Sequence, residues 1–247
     1  MRTHLSMRSG NPALNSKIFT SAVQDGSEPM TIGGTVNKTA MTLLLLMTTA
    51  SYTWTNPSPG LMILGIFGGL IMALITIFKK IWAPYTVSAY ALLEGLALGG
   101  ISQFFEKMYP GIVSQAVFLT FGILAALLLA YKTGLIKPTE NFKLGVFAAT
   151  GGIFIMYLIS FIMSFFGSGL SILNPNNSSL LSIGISLFVV VIASLNLVLD
   201  FDFIEEGAER GAPKYMEWYG AFGLLVTLIW LYLEILRLLA KLQSRRN

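Results

Sequence analysis

The sequence lacks cysteine and has a single histidine, His4, among its 247 residues. Without cysteine, the chain can form no disulfide bond, no thiolate metal site and no cysteine nucleophile. With one imidazole, neither a histidine-based zinc centre nor a serine–histidine triad is expected within one chain. We therefore expect no catalytic residues and no resident cofactor, and we predict that the protein is not an enzyme.

Charged side chains are also few, at 11% of the residues against 54% that are apolar. An average soluble domain has about 25% charged residues, so this composition does not provide a water-facing surface. The net charge of +4 is too small to indicate nucleic-acid binding. No glycine-rich phosphate-binding loop is present, so a nucleotide partner is not expected either. The lipid bilayer is the expected surroundings of the chain.

Seven apolar segments follow a polar leader and are separated by proline, glycine and asparagine. Most are close to the roughly 20 residues that an α-helix needs to cross a bilayer. They are continuous rather than alternating, which favours helices over the strands of a membrane barrel. We predict an all-α polytopic fold with short first and second spans, from segments at 39–54, 61–78, 85–105, 112–131, 142–166, 180–199 and 218–239.

The segments divide the chain into a polar leader at 1–36, a transmembrane domain at 37–242 and a basic tail at 243–247. No apolar stretch near Met1 offers a secretory signal, so we expect the leader to be a retained cytoplasmic tail. With the amino terminus inside and seven crossings, most of the 16 Lys and Arg residues lie on the inner side. Aromatic residues at the segment ends are predicted interface anchors: Tyr52, Trp54, Trp82, Tyr85, Tyr109, Tyr131, Trp218 and Tyr219.

Acidic residues lie within the apolar segments or at their ends, where inserting a carboxylate costs about 2.5–3.5 kcal/mol. Asp202 is predicted to be a solvated charge beyond the end of the sixth segment, whereas Asp200 is held at the membrane edge. Glu234 lies deep in the seventh segment and has two alternative partners on its own helix face, Arg237 and Lys241.

Glu94 lies near the middle of the third segment, with no basic residue between Lys80 and Lys107. Its partner must come from another helix, or its carboxyl group stays protonated. Two GxxxG pairs, at 65/69 and 95/99, predict close approach of helices around it.

Oxygen ligands without histidine or cysteine suit hard cations such as Ca²⁺, or protons. Two carboxyl groups held together in a low dielectric cannot both ionise, and such a pair can share a proton. Convergence of the acids therefore predicts a pH-gated cation path, with Asp200, Glu234 and Glu94 as candidate metal ligands. Thr227 shares a helix face with Glu234, and Asn196 adds a polar side chain to the sixth segment.

The chain resembles the Bax inhibitor family (transmembrane Bax-inhibitor-motif proteins), specifically its bacterial branch, over about residues 36–242. The resemblance is carried by the runs EGLALG at 94–99, SLNLVLDF at 194–201 and LYLEILRLL at 231–239. It implies a seven-helix bundle with the last helix central, and a pH-dependent calcium leak. It also implies a membrane-bound AAA protease as a partner.

Two buried acids that share a proton are further implied by the resemblance, one ending the sixth helix and one within the seventh. Asp200 matches the first position. Aligning the Leu-Tyr-Leu-acid pattern assigns the second position to Glu234, whereas aligning the Leu-Leu-Arg pattern assigns it to Thr227. With Thr227, the paired-acid gate would be absent.

Our leading prediction is a pH-modulated passive cation (calcium) leak channel of the inner membrane, with the amino terminus cytoplasmic. Asp200 is the predicted gate acid and Glu234 its partner, with Arg237 as a counter-charge. A competing prediction is a non-conducting membrane interaction protein that modulates membrane proteolysis or stress survival, with contacts made by the leader and by residues 200–217. An intramembrane hydrolase using Asp200 and Glu234 is the third and least favoured alternative. The candidate pore-lining residues are Glu94, Asp202, Thr227 and Asn196.

Overall fold

The computed structural model describes residues 28–167 and 169–246, so most of the predicted leader lies outside the described residues. Within the described ranges the chain forms seven α-helices and no β-strand. Two short 3-10 helices, Lys80–Trp82 and Ser171–Leu173, lie in the connections. The α-helices are α1 Ile32–Thr55, α2 Pro59–Phe78, α3 Ala83–Met108, α4 Ile112–Lys132, α5 Glu140–Ser164, α6 Leu180–Glu209 and α7 Met216–Arg246.

Each helix coincides with one of the seven apolar segments, although α5 ends at Ser164, before the predicted end of the fifth segment, so the predicted all-α fold is confirmed. The helix α1 has 24 residues and begins at Ile32, before the apolar segment predicted at 39–54. Thr31 caps α1 by accepting a hydrogen bond from the Gly34 amide. Threonine hydroxyls inside α1 donate to carbonyls one turn earlier, as Thr39 does to Thr35 at 2.9 Å. These residues satisfy their own hydroxyl groups, so the helix extends through polar sequence.

Five of the helices, α2, α4, α5, α6 and α7, are long and apolar enough to cross a membrane. In α7, 61% of the most apolar window is buried inside the protein, against 11% in α5. Large apolar side chains such as Phe118 and Leu129 are exposed, as expected for a surface that contacts lipid. The chain is therefore a multi-pass membrane protein, and α7 is the most buried of these five helices.

The described residues divide into two compact units, and α6 and α7 contribute to both. The first unit comprises residues 28–108 and 200–226, and in it α3 packs against both α1 and α2. A Cβ atom at Gly65 of α2 would lie 2.5 Å from the Leu93 carbonyl oxygen of α3. A Cβ atom at Gly95 would collide with Leu46 and Thr49 of α1. The close approach predicted from the GxxxG pairs is confirmed.

The second unit comprises residues 109–199 and 227–246. Its core includes Ile153 of α5 with Val189 and Ile192 of α6. Tyr157 and Trp230 pack against this cluster, so α5, α6 and α7 share one apolar core. Tyr157 is thereby held with its ring among apolar side chains.

Two of the predicted interface anchors are wrong, because Tyr109 and Tyr219 are buried. Tyr219 packs against Phe203 and Phe222, with ring centroids 6.5 and 6.1 Å away. Tyr52, Trp82 and Tyr85 are exposed, as an anchor requires. An aromatic residue at the end of an apolar segment can face either lipid or core, and its position in the sequence does not distinguish the two.

Candidate functional site

Asp200 is 0% exposed, and it follows a stretch of α6 whose residues from Asn196 onward are all buried. The helix does not end there, since α6 continues to Glu209. Asp202 is half-buried, and the acidic side chains become exposed at Glu205 and Glu209. The structure therefore places Asp200 inside the protein, whereas the later acids of α6 are half-buried or exposed.

Asn196 lies one turn before Asp200 and is also buried. Its side-chain amide donates to the Ile192 carbonyl at 2.8 Å and to the Thr150 hydroxyl of α5 at 2.9 Å. Within the part of the chain that the structure describes, its Oδ1 atom has no hydrogen-bond partner. Asn196 thus forms a polar link between α5 and α6 with one acceptor unused.

Glu234 is 2% exposed and forms an ion pair with Arg237. Arg237 Nη1 donates to both carboxylate oxygens, at 2.6 and 2.7 Å, and the Tyr157 hydroxyl donates to Oε1 at 2.5 Å. Arg237 also donates to the Tyr157 oxygen at 2.7 Å, and its guanidinium lies 5.4 Å from the ring centroid. Of the two partners predicted for Glu234, the structure selects Arg237.

Lys241 is buried on α7 and makes different contacts. Its ammonium group donates to the Ile172 carbonyl at 2.7 Å, the Ser186 hydroxyl at 2.8 Å and the Ser182 carbonyl at 3.3 Å. Three acceptors satisfy the three hydrogens of the ammonium group. Lys241 therefore fastens α7 to the start of α6 and to the loop before it.

Thr227, the alternative residue for the second gate position, is buried in α7. Glu234 lies seven residues further on, so both candidates face the same side of the helix. Of the two, Glu234 carries a charge and already has an arginine partner. A proton-sharing role for Glu234 requires that its carboxylate be released from Arg237.

Glu94 is half-buried in α3, at the point where Gly69 of α2 passes it. A Cβ atom at Gly69 would lie 2.6 Å from Glu94 Oε1, so the glycine makes room for the carboxyl group. Among the described residues no basic side chain forms an ion pair with Glu94. In residues 28–167 and 169–246, no group of three or more His, Cys, Asp or Glu could hold a metal ion. Cation ligation by Asp200, Glu234 or Glu94 stays a prediction.

Sequence reasoning missed two residues of these clusters, Tyr157 and Glu217. Glu217, in the first turn of α7, is 1% exposed and pairs with Lys38 of α1. Its Oε1 atom also accepts from the Thr31 amide at 2.9 Å and the Thr31 hydroxyl at 3.0 Å. An acid in the first turn of a helix is a recognisable signal, since it faces the positive end of the helix dipole.

The fold and these buried charges define a multi-pass, all-helical membrane protein. The Bax inhibitor 1 like family matches residues 11–244, so the chain belongs to that family. The family resemblance predicted from the three sequence runs is thereby confirmed. Among curated proteins, no significant match to this sequence is found.

Proposed function

We propose that the protein is a pH-modulated passive leak channel for cations, with Ca²⁺ as the permeant ion, and that it catalyses no reaction. We place it in the inner membrane with its amino terminus in the cytoplasm. The observation that carries the proposal is the complete burial of the Asp200 carboxyl group in α6. Ionisable groups within membrane helices are costly, and they commonly mark ion or proton pathways.

Asp200 is the proposed gate acid. Its ionised form attracts a cation, and protonation removes that attraction, so the occupancy of the path follows pH. Glu234 is the proposed proton-sharing partner, and Arg237 is the counter-charge that neutralises Glu234 when no cation is present. The proposed pore-lining residues are Glu94, Asp202, Thr227 and Asn196.

Calcium flux into dye-loaded liposomes containing the purified protein tests this proposal. We expect the flux to differ between about pH 6 and 8, because protonation of a carboxyl group removes its attraction for a cation. Asp200→Asn cannot change its charge, so we expect this variant to lose the pH dependence. Glu209→Gln is the matched control, because Glu209 is an exposed acid on the same helix. Equal leaks from wild type and Asp200→Asn at both pH values would sink the channel proposal.

A second candidate function is a non-conducting interaction protein that modulates membrane proteolysis through a membrane-bound AAA protease. The observation that favours it is a contact between the end of the leader and the loop before α7, where Met30 N donates to the Ala212 carbonyl at 2.6 Å. The two regions predicted to carry partner contacts are therefore adjacent. For this function we expect the protein to co-purify with such a protease and to show no calcium flux. Deletion of residues 1–27 should abolish the co-purification.

A further inference from the structure

Residues 28–31 run as an extended segment along the α6–α7 loop. Pro29 and Pro213 form an isolated antiparallel bridge, and Met30 N donates to the Ala212 carbonyl at 2.6 Å. Proline favours extended backbone in itself and in the residue before it, so the sequence prepares this conformation. The arrangement is that of an extended peptide paired with the backbone edge of a loop.

Side chains hold the segment at both ends. Glu28 pairs with Lys214 at the surface. At the other end, the buried Glu217 carboxylate accepts from the amide and hydroxyl of Thr31 and pairs with Lys38. Between these ends, the Met30 side chain is buried. Most of these bonds are polar and a single apolar side chain is buried, so releasing the segment costs far less than unfolding a helix.

We propose that Ala212–Lys214 and Glu217 form a docking edge for an extended peptide, and that residues 28–31 occupy it as a releasable strap. Each group on the edge has a defined task. The Ala212 carbonyl takes a backbone amide, Lys214 takes a carboxylate, and Glu217 takes an amide and a hydroxyl. The edge therefore fits a peptide with an acidic residue, a short extended stretch and a threonine or serine, and it becomes accessible when the strap opens. This inference does not depend on ion conduction.

Disulfide trapping tests whether Glu217 holds the strap. The chain has no cysteine, so Pro29→Cys with Pro213→Cys gives a single possible pair. Residues opposite each other in an antiparallel bridge have Cα atoms about 4.5–5.5 Å apart, within the range of a disulfide. We expect rapid oxidation of this pair, and Glu217→Gln in the same background should slow it about tenfold, a loss of about 1.4 kcal/mol. Glu209→Gln is the control and should leave the rate unchanged. Equal rates for the two variants overturn the proposal.

Peptide binding tests the docking edge. The probe is a fluorescent peptide with the sequence of residues 25–34, added to the full-length protein in detergent. We expect peptide binding to rise about tenfold in the Thr31→Val variant. This variant loses the hydrogen bond from the Thr31 hydroxyl to the Glu217 carboxylate, which weakens the strap, and it leaves the docking edge unchanged. Met30→Asp is a second strap variant, and circular dichroism checks that both keep their helices. The disulfide-locked protein should bind no peptide. Binding to the locked form, or to neither strap variant, overturns the proposal.

Discussion

Glu234 and Arg237 form an ion pair inside a membrane protein, and the contribution of such a pair to stability depends on whether one or both residues are replaced. Glu234 is buried and Arg237 is half-buried, so both lose contact with water, and their attraction together with the Tyr157 hydroxyl offsets that cost. Removing one partner leaves a charge without compensation, whereas replacing both with apolar residues removes the cost as well. Each of the two charges therefore needs the other, whereas replacing both residues together should cost the protein little stability.

We predict that Arg237→Met destabilises the protein by about 3–5 kcal/mol, because Glu234 is left buried without its counter-charge. The double variant Glu234→Leu with Arg237→Met should be more stable than this single variant. Unfolding in mixed detergent micelles, followed by circular dichroism, measures both. A double variant that is as unstable as Arg237→Met would contradict this account of the pair.

The sequence identifies the acids of the candidate site and one partner on the same helix, Arg237, but not the partners that come from other helices. Asp200 and Glu234 are conspicuous because a carboxyl group in an apolar run is rare, and both are buried in the structure. Tyr157 lies 77 residues from Glu234, and Thr31 lies 186 residues from Glu217. Contacts over such separations depend on how the helices pack, which a pattern within one segment does not report.

At the scale of helices, α3 is held between α1 and α2 by glycines that bring backbones together. Gly95 and Gly100 lie on the same helix in different surroundings. A Cβ atom at Gly95 would collide with α1, whereas at Gly100 its nearest neighbour is the flexible Met62 side chain, 3.4 Å away. The two positions therefore form a matched pair for testing the packing.

We predict that Gly95→Ala destabilises the protein by about 1–3 kcal/mol through overpacking against α1. Gly100→Ala should be neutral or stabilising by up to about 1 kcal/mol, because alanine is the better helix former. The unfolding free energies of the two variants measure the difference. A loss of stability in Gly100→Ala equal to that in Gly95→Ala would contradict the assignment of this cost to contact with α1.

The ion pair between Glu28 and Lys214 gives the strap a defined pH dependence. The hydrogen bond from Lys214 lowers the pKa of Glu28. The stabilisation from this ion pair is therefore complete above the ordinary carboxyl pKa of 4.5 and is lost as pH falls through the lowered value. Glu28 raises the pKa of Lys214, whose contribution is complete below 10.5 and is lost as pH rises through the raised value. Across the neutral range this exposed pair therefore keeps its charges.

We predict that pH changes between about 6 and 8 do not open the strap through Glu28 and Lys214. Spin labels on cysteines replacing Ile32 and Glu209, both exposed, should report the same distance at both pH values. Glu28→Gln should likewise give no new pH dependence in this range. A distance that changes within it would assign the strap a different pH-sensitive group.

Helix positions were largely predictable, because apolar runs bounded by Pro57, Pro84, Pro110 and Pro138 define where spans begin and end. The start of α1 was not predictable in this way. It depends on the Thr31 cap and on threonines whose hydroxyl groups donate to carbonyls of the preceding turn. The end of α6 is also not predictable from the apolar run, since residues 202–209, half of them acidic, continue the helix beyond its apolar segment. Apolar runs report the membrane part of a helix, and polar extensions need the tertiary structure.

At the scale of the whole molecule, the proposed topology of seven crossings with the amino terminus inside would place the carboxyl terminus outside. The basic residues Arg245 and Arg246 oppose that placement, since Lys and Arg favour the inner side. We predict that Ser9→Cys and Asn247→Cys are labelled from opposite sides of the membrane. An impermeant maleimide applied to right-side-out and inverted vesicles measures this, and labelling from one side would mean an even number of crossings.

The buried ammonium group of Lys241 has a consequence for biogenesis. Its acceptors on Ile172, Ser182 and Ser186 precede it by 69, 59 and 55 residues. A ribosome therefore delivers all of them to the bilayer well before it makes the lysine that binds them. The contacts that fasten the seventh helix to the sixth can form only after the seventh has been inserted, so synthesis of that helix completes the assembly.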